Sequence, residues 1–190
     1  MVDMENTRCG FVALVGAPNA GKSTLMNHVM GTKVSIVTHK VQTTRARVVG
    51  VLTHDHDQIV FVDTPGIFSP NRRLERAMVA AAWGGAADAD KIVLLVDAER
   101  GLGRDVQLII DGLKKAEKTA IVALNKIDLI PREKLLTLAE EFQGAGVFEN
   151  IFMISALKGD GVEDLVASLR EGLPSGPWLY PEDHLSDMND

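Results

Sequence analysis

One eight-residue segment limits what this chain can fold into more than any other. Gly16-Ala-Pro-Asn-Ala-Gly-Lys-Ser23 matches the pattern G-x-x-x-x-G-K-[ST], and it lies between the β-branched run Phe11–Val15 and a helical stretch that ends near Gly31. Glycines let the backbone come close to an anion, and the N-terminus of the following helix adds a partial positive charge. The segment therefore predicts a phosphate-binding loop, called the phosphate loop below. Its residues are Gly16, Ala17, Pro18, Asn19, Ala20, Gly21, Lys22 and Ser23.

Two side chains of the phosphate loop have a definite chemistry. The Lys22 ammonium is expected to neutralise the terminal phosphates of a nucleotide, and the Ser23 hydroxyl is expected to ligate Mg²⁺. Thr24 follows at the start of the helix and is expected to contact the same ligand. The structural alternative is an ordinary glycine-rich turn between a strand and a helix.

The hydrophobic pattern predicts an α/β fold. Most of the β-branched runs are apolar throughout, which is typical of strands buried on both faces. Apolar residues at helical spacing separate the runs, as in 135–142. We expect a six-stranded, mostly parallel sheet with one antiparallel edge strand and helices on both faces. The strands are Phe11–Val15, Val48–Leu52, Ile59–Val62, Ile92–Val96, Thr119–Leu124 and Ile151–Ile154; the second and third form the antiparallel pair, because only Thr53–Gln58 separates them.

The base of the nucleotide is predicted from Asn125-Lys-Ile-Asp128, which follows the fifth run. The Asp128 carboxylate can accept from N1–H and the N2 amino group of guanine, whereas adenine offers neither donor. Asn125 and Lys126 would complete this reader. Ser155 and Ala156 could add a backbone N–H toward guanine O6. The alternatives are a helix cap after a strand and, for the whole chain, an ATP-using P-loop enzyme.

Two further segments predict the surroundings of the γ-phosphate. Asp63-Thr-Pro-Gly66 ends the third run, and Asp63 suits a water-mediated contact to Mg²⁺. The Gly66 N–H could donate to the γ-phosphate, and this contact would be lost after hydrolysis. Thr64 and Pro65 form the loop between Asp63 and Gly66. An ordinary Pro-Gly turn is the structural alternative. A threonine of Gln42-Thr-Thr-Arg45 could complete the Mg²⁺ shell. Thr44 is preferred, and Thr43 is the competitor.

Composition supports a cytoplasmic protein. The single cysteine cannot form an internal disulfide, and no apolar run approaches the roughly 20 residues of a membrane-spanning helix. The net charge is −6. Four of the negative charges lie in Pro181–Asp190, which has no Lys or Arg, so the rest of the chain carries −6 + 4 = −2. This balance neither establishes nor excludes a nucleic-acid partner.

With these motifs in this order, the chain resembles translation-factor-class GTPases, and among them the Era family of bacterial ribosome-assembly GTPases. An exit segment at Trp178-Leu-Tyr-Pro-Glu-Asp183 supports the same likeness. The other residues that carry it are Gly16–Ser23, Gln42-Thr-Thr-Arg45, Asp63-Thr-Pro-Gly-Ile67, Asn125-Lys-Ile-Asp128 and Ile154-Ser-Ala156.

The resemblance implies a GTP-hydrolysing molecular switch in small-subunit assembly and 16S rRNA processing. It implies GTP or GDP as ligand, Mg²⁺ as cofactor, and Lys22, Thr44 and Gly66 as catalytic groups. The catalytic glutamine of Ras-type enzymes is replaced by Ile67, so other groups must position the water. In related GTPases an asparagine at the position of Asn19 helps to hold K⁺; a simple turn residue is the alternative here.

The resemblance also implies partners and a domain arrangement. Small-subunit ribosomal RNA, the 30S particle and a peripheral contact with the inner membrane are expected partners of a monomeric full-length protein. Residues 1–175 are predicted as the GTPase domain, and 176–190 as a linker toward a KH domain for RNA. No two of the 17 glycines have the spacing of the KH G-x-x-G clamp, so the RNA-reading part is expected to be missing here. An RNA-assembly module whose hydrolysis only times release is the alternative function.

Overall fold

The computed structural model describes residues 6–17, 19–30, 34–35, 42–43, 46–63 and 89–180. Its strands are β1 (Arg8–Gly16), β2 (Val34–Ser35), β3 (Gln42–Thr43), β4 (Ala46–His54), β5 (Asp57–Asp63), β6 (Lys91–Asp97), β7 (Ala120–Asn125) and β8 (Phe148–Met153). Its α-helices are α1 (Lys22–Met30), α2 (Arg104–Ala116), α3 (Arg132–Gly144) and α4 (Val162–Glu171). A short 3-10 helix spans Ile127–Leu129.

All strands belong to one sheet with the order β2-β4-β5-β1-β6-β7-β8, and β3 also pairs with β4. From β5 to β8 every neighbouring pair is parallel, whereas β4 runs antiparallel to β5. The predicted fold class and all six predicted strands are confirmed. The two additional strands, β2 and β3, pair antiparallel with β4, so β4 is not outermost. Two-residue strands are too short to show a periodic pattern, which is why the sequence did not predict them.

The two faces of the sheet carry separate apolar cores. Alternate residues of a strand point to opposite faces, so Ala13 and Val15 join one core while Val12 and Leu14 join the other. Helices α2 and α3 cover the first face with residues that include Ile109 and Phe142. Helices α1 and α4 cover the second face with residues such as Leu25, Val29, Leu165 and Leu169. The prediction of helices on both faces is therefore confirmed.

Residues 174–180, called the C-terminal strap below, lie against the amino ends of β1 and β5. The Cys9 N–H donates to Pro174 O at 3.2 Å, and the Gly176 N–H donates to Thr7 O at 3.0 Å. Trp178 is buried, and its Nε1–H donates to His56 O at 3.0 Å. The predicted domain boundary at 175 stays a prediction. Of the predicted linker, the part up to Tyr180 packs on the sheet, and 181–190 lies outside the described residues.

The buried amide of Gln58 joins the strap to β5. Gln58 is fully buried; its Nε2 donates to Tyr180 O at 2.7 Å, and its Oε1 accepts from the Tyr180 N–H at 3.1 Å. Both ends of a buried amide thus find partners in the strap backbone. Burying such a group without partners would be unfavourable.

A charged cluster lies beside the strap at the start of β5. Asp57 is almost fully buried, and its carboxylate accepts from Arg8 Nε at 2.7 Å and from Arg170 Nε at 2.9 Å. Burial alone would raise the pKa of Asp57, but the hydrogen bonds and charges of the two arginines outweigh it and lower that pKa below its usual range. The Arg170–Asp57 bond also joins α4 to the sheet.

None of the helices in the described part of the chain has both the length and the apolar character needed to span a membrane.

Candidate nucleotide site

Those predicted site residues that the structure describes meet along the carboxyl edge of the parallel strands. In the strand register, Leu14 of β1 faces Asp63 at the end of β5. Asp97 at the end of β6 faces Asn125 at the end of β7. The phosphate loop leaves β1 between these pairs. Open parallel sheets usually bind their ligands at this edge, which agrees with a site there; the site itself stays a prediction.

The phosphate loop turns tightly into helix α1, which begins at Lys22. Asn19 and Gly21 have left-handed backbone conformations, with φ of 75° and 103°. The Ala20 N–H donates to Ala17 O at 3.0 Å, which closes the turn, and the Leu25 N–H donates to Gly21 O at 2.9 Å. Ser23 and Thr24 are exposed on the first turn of α1. Pro18 lies outside the described residues.

Lys22 and Asp63 face each other across the end of the site. Lys22 Nζ donates to Asp63 Oδ1 at 2.9 Å, and both side chains remain partly open to solvent. The ammonium therefore lies between the phosphate loop and the end of β5, and its predicted contact with a terminal phosphate stays a prediction. The Ser23 hydroxyl and the Asp63 carboxylate are hard oxygen donors of the kind that Mg²⁺ prefers.

The donor set also agrees with the way in which Mg²⁺ is usually held at nucleotide sites. Within the described part of the chain, no three His, Cys, Asp or Glu side chains are grouped so that they could hold a metal by themselves. Mg²⁺ at such sites keeps one or two protein ligands and takes its others from phosphates and water. Ser23 and Asp63 fit that pattern.

Asn125 joins three loops of the site. Its side chain is buried; Nδ2 donates to Ala20 O at 2.8 Å, and Oδ1 accepts from the Ala156 N–H at 2.9 Å. A Cβ on Gly21 would lie 2.3 Å from Asn125 Nδ2, so only glycine fits beneath this side chain. The phosphate loop, the Asn125–Asp128 segment and the loop after β8 are thus held together by one amide.

Lys126 adds a second link that depends on a residue the sequence reasoning missed. Its Nζ donates to Asn19 O at 2.8 Å and to Asp97 Oδ2 at 2.9 Å. Asp97 ends β6 in the same way that Asp63 ends β5. An acidic residue directly after an apolar strand was the available signal, but no motif distinguishes Asp97 from an ordinary turn residue.

Asp128 and Ser155 lie together at the outer end of the site. Asp128 is exposed, and its Oδ1 accepts from Ser155 Oγ at 3.1 Å. The Ser155 N–H donates to Asp160 O, and the Ala156 N–H donates to Asn125 Oδ1. The predicted contact from a backbone N–H of Ser155 or Ala156 to guanine O6 stays a prediction. The Ala156 N–H already donates to Asn125 Oδ1, so guanine O6 would share that N–H with Asn125.

The remaining predicted site residues lie outside the part of the chain that the structure describes. They are Thr44, Thr64, Pro65 and Gly66, together with Ile67, which marks the missing glutamine. Thr43, the competitor of Thr44, lies in β3 opposite Ala46, and only its backbone is described.

A phosphate loop, an acid on the neighbouring strand and an Asn-Lys-x-Asp segment, all on one edge of a mostly parallel sheet, define a P-loop GTPase domain. The family model described as "50S ribosome-binding GTPase" matches residues 11–126, so the chain belongs to that family. Within it, the chain is similar to GTPase Era, and the predicted resemblance is confirmed. GTPase Era of Sinorhizobium medicae is 59% identical over 182 residues, covering 96% of this chain and 59% of the relative. GTPase Era of Mesorhizobium japonicum is 55% identical over 193 residues, covering 99% and 62%.

Solved structures give the same result. A crystal structure of Era in complex with MgGDPNP and nucleotides 1506–1542 of 16S ribosomal RNA is 42% identical, with a TM-score of 0.73 over 93% of this chain and 61% of that one. A variant of Aquifex aeolicus Era bound to GDP.AlF4- is also 42% identical, with a TM-score of 0.72 over 93% of this chain and 61% of that one. The chain thus spans less than two thirds of the length of these relatives.

Proposed function

We propose that this chain binds guanine nucleotides and hydrolyses GTP, and that it acts as a molecular switch. One observation carries the proposal: the Asn125 side chain bonds both the phosphate loop and the loop after β8. The Asn125–Asp128 segment and the phosphate loop are therefore held at a fixed distance from each other, as binding of the base and the phosphates of one nucleotide requires. The Asp128 carboxylate matches the N1–H and N2 donors of guanine, which favours GTP over ATP.

Hydrolysis would be attack of water on the γ-phosphate. Lys22 would offset the negative charge that develops on the transferred group, and its contact with Asp63 at the end of β5 supports this role. Ser23, Asp63 and Thr44 would hold Mg²⁺, which when bound would neutralise further charge on the phosphate oxygens. The Gly66 N–H would contact the γ-phosphate. Ile67 has no group that could position the water, so backbone groups near Thr44 are our candidates.

The switch would consist of contacts that exist only with GTP. Thr44 and Gly66 would reach the Mg²⁺ and the γ-phosphate before hydrolysis and lose them afterwards. Amide hydrogen exchange tests this step. We expect segments 42–46 and 63–67 to exchange more slowly with a non-hydrolysable GTP analogue than with GDP, and equal exchange would contradict it.

K⁺ is a further proposed cofactor. Asn19 is exposed in the phosphate loop, and its side chain is not needed for the bond that its carbonyl accepts from Lys126. A cation there would supply positive charge where other GTPases use an arginine. We expect hydrolysis to slow when K⁺ is replaced by Na⁺, and Asn19→Ala to remove that difference. Equal rates in both salts would contradict the proposal.

The cellular role that we propose is assembly of the small ribosomal subunit, including 16S rRNA processing. Relatives named GTPase Era, and a structure of Era with a 16S ribosomal RNA fragment, support it. The full-length protein would bind small-subunit rRNA and the 30S particle. A cytoplasmic location with peripheral contact to the inner membrane, and a monomeric state, stay predictions.

Phosphate release from GTP tests the proposed chemistry. We expect the purified chain to release phosphate from GTP in the presence of Mg²⁺, and Lys22→Ala to slow single-turnover release by about 10²–10³-fold. Lys91→Ala is a matched control, because it also removes an ion-paired lysine, but at the amino end of β6. Release at the wild-type rate by Lys22→Ala would contradict the assigned role.

A further inference from the structure

We propose that Asp97 is a positioning residue for guanine-nucleotide binding, acting by holding the Lys126 ammonium against the phosphate loop. The inference rests on the proposed function, since it concerns how tightly the same site retains its nucleotide. It assigns a role to a carboxylate that belongs to none of the sequence motifs named for the site.

The contacts place Lys126 between two elements. Its Nζ lies 2.9 Å from Asp97 Oδ2, at the end of β6, and 2.8 Å from Asn19 O, in the phosphate loop. The side chain of Asp97 is only 11% exposed and that of Lys126 is 30% exposed. Solvent therefore screens this ion pair less than it screens pairs at the open surface. One ammonium group fixes the phosphate loop relative to the strand next to the base reader.

The backbone conformation of Lys126 is one that its contacts must help to maintain. Lys126 has φ of 68°, in the left-handed region that most residues with a Cβ seldom adopt, whereas Asn19, with φ of 75°, is of a residue type that adopts it more readily. The lysine conformation therefore needs support from surrounding contacts. The Lys126 side chain joins these two positions, and Asp97 provides the charged partner that keeps the ammonium in place.

Asp97 uses both of its oxygens, so a carboxylate is required. Oδ1 accepts from the Glu99 N–H at 2.9 Å while Oδ2 accepts from Lys126. An amide has one oxygen and one NH₂ group. Asp97→Asn must therefore either give up the Glu99 N–H or turn an NH₂ group toward the ammonium.

The other end of β6 supplies a matched control. Lys91 Nζ lies 3.0 Å from Glu149 Oε1, with side chains 25% and 36% exposed. Glu149→Gln makes the same carboxylate-to-amide change in another lysine ion pair, at the edge of the sheet opposite the site. A general loss of stability would follow from either change, whereas only Asp97→Asn should affect the nucleotide.

Release of mant-GDP, displaced by excess GDP with Mg²⁺ in a stopped-flow instrument, tests the inference. We expect Asp97→Asn to accelerate release about tenfold, the effect of losing one charge-assisted hydrogen bond. Asp97→Glu keeps the charge but moves it by one methylene, and we expect an intermediate acceleration. Glu149→Gln should release mant-GDP within a factor of two of wild type.

A double substitution shows whether Asp97 acts through Lys126. In a Lys126→Met background, Asp97→Asn should add almost no further acceleration, because the ammonium that it would hold is already gone. An equal tenfold effect in both backgrounds would overturn the inference, and so would wild-type release by both Asp97 variants. If the wild-type chain did not bind mant-GDP at all, the proposed function itself would fail.

Discussion

Gly21 has less room for a side chain than Gly16, the other glycine of the phosphate loop. A Cβ at Gly21 would lie 2.3 Å from Asn125 Nδ2, whereas one at Gly16 would meet its nearest atom, Leu95 O, at 3.0 Å. The φ of 103° at Gly21 is a second constraint. The short distance arises because the Asn125 side chain lies over Gly21 to reach the Ala20 carbonyl. The hydrogen bond from Asn125 to the phosphate loop therefore requires glycine at position 21, whether or not a phosphate is bound.

We predict that Gly21→Ala lowers GDP affinity at least tenfold and destabilises the chain by about 1–3 kcal/mol, because the methyl group must displace Asn125 or the loop. Calorimetric GDP titration and urea unfolding measure the two effects. Gly103→Ala is the control, since a Cβ there meets nothing within 4 Å. Wild-type GDP affinity in Gly21→Ala would show that the loop and Asn125 are not coupled.

Sequence reasoning was strongest where a residue belongs to a motif with fixed spacing. Lys22 and Asn125 are predicted because neighbouring residues in the chain form a recognisable pattern. Asp97 is missed because its partner Lys126 is 29 positions away, and only the pairing of β6 with β7 brings them together. Contacts of that kind depend on strand order, which the chain does not state locally.

At the scale of single elements, β5 is anchored at both ends by charge. Its first residue, Asp57, accepts from Arg8 and Arg170, and its last, Asp63, accepts from Lys22. Asp57 is 4% exposed, whereas Asp63 is 27% exposed. The buried pairing at Asp57 thus contributes to stability, while the carboxylate of Asp63 stays accessible for a ligand.

The lowered pKa of Asp57 predicts a specific acid dependence. A group whose pKa is lower in the folded state contributes stability above its unfolded pKa, about 3.9, and loses it as pH falls through the folded value. We expect Asp57→Asn to lower the unfolding free energy at pH 7 by about 1–3 kcal/mol. That difference from wild type should shrink below about pH 4, as measured by urea unfolding.

Asp55→Asn serves as the control for this prediction. Asp55 also faces Arg170, at 3.5 Å, but its side chain is 70% exposed, so the pair should contribute little. Its φ of 53° suits asparagine as well as aspartate. A gap between Asp57→Asn and wild type that stays constant from pH 7 downward would contradict the role given to the Asp57 carboxylate.

The C-terminal strap is an element that the sequence predicted only in part. The sequence indicated Trp178 and Tyr180 only as part of an exit segment, and the structure shows Trp178 buried. The pairing of the Gln58 amide with the Tyr180 backbone was not foreseeable, because it joins residues 122 positions apart. The resemblance predicted a linker from residue 176 onward, whereas the hydrogen bonds of the strap resemble those of a short added strand.

Shortening the chain tests where the domain ends. We predict that a chain ending at Ser175, the predicted boundary, is less stable than the full chain by about 2–4 kcal/mol, because Trp178 is lost and Gln58 keeps no partner in the strap. Gln58→Met should destabilise the full chain but not the short one. Urea unfolding measures all four proteins, and equal stability of the two lengths would place the boundary at 175.

At the scale of the whole molecule, the contacts that stabilise the fold and the residues of the nucleotide site lie at opposite edges of the sheet. The strap and the Asp57 cluster lie at the amino ends of β1 and β5, and the nucleotide site lies at the carboxyl ends of β1, β5, β6 and β7. The seven residues of β5 keep the two edges apart by roughly 20 Å.

The fold class could be predicted from the sequence because buried parallel strands are apolar throughout. The short strands, the role of Asp97 and the packing of the strap could not be predicted, because each depends on pairing between residues far apart in the chain.

We propose that one site holds the phosphates of a nucleotide with the phosphate loop and recognises its guanine with Asp128. Calorimetric titration of the purified chain with GDP, and with ADP, in the presence of Mg²⁺ tests it most directly. We predict one GDP site, no measurable ADP binding, and at least a hundredfold loss of GDP affinity in Asp128→Asn with an unchanged unfolding midpoint. No heat with GDP, or the same affinity for GDP in wild type and Asp128→Asn, would contradict a guanine-nucleotide site of this kind.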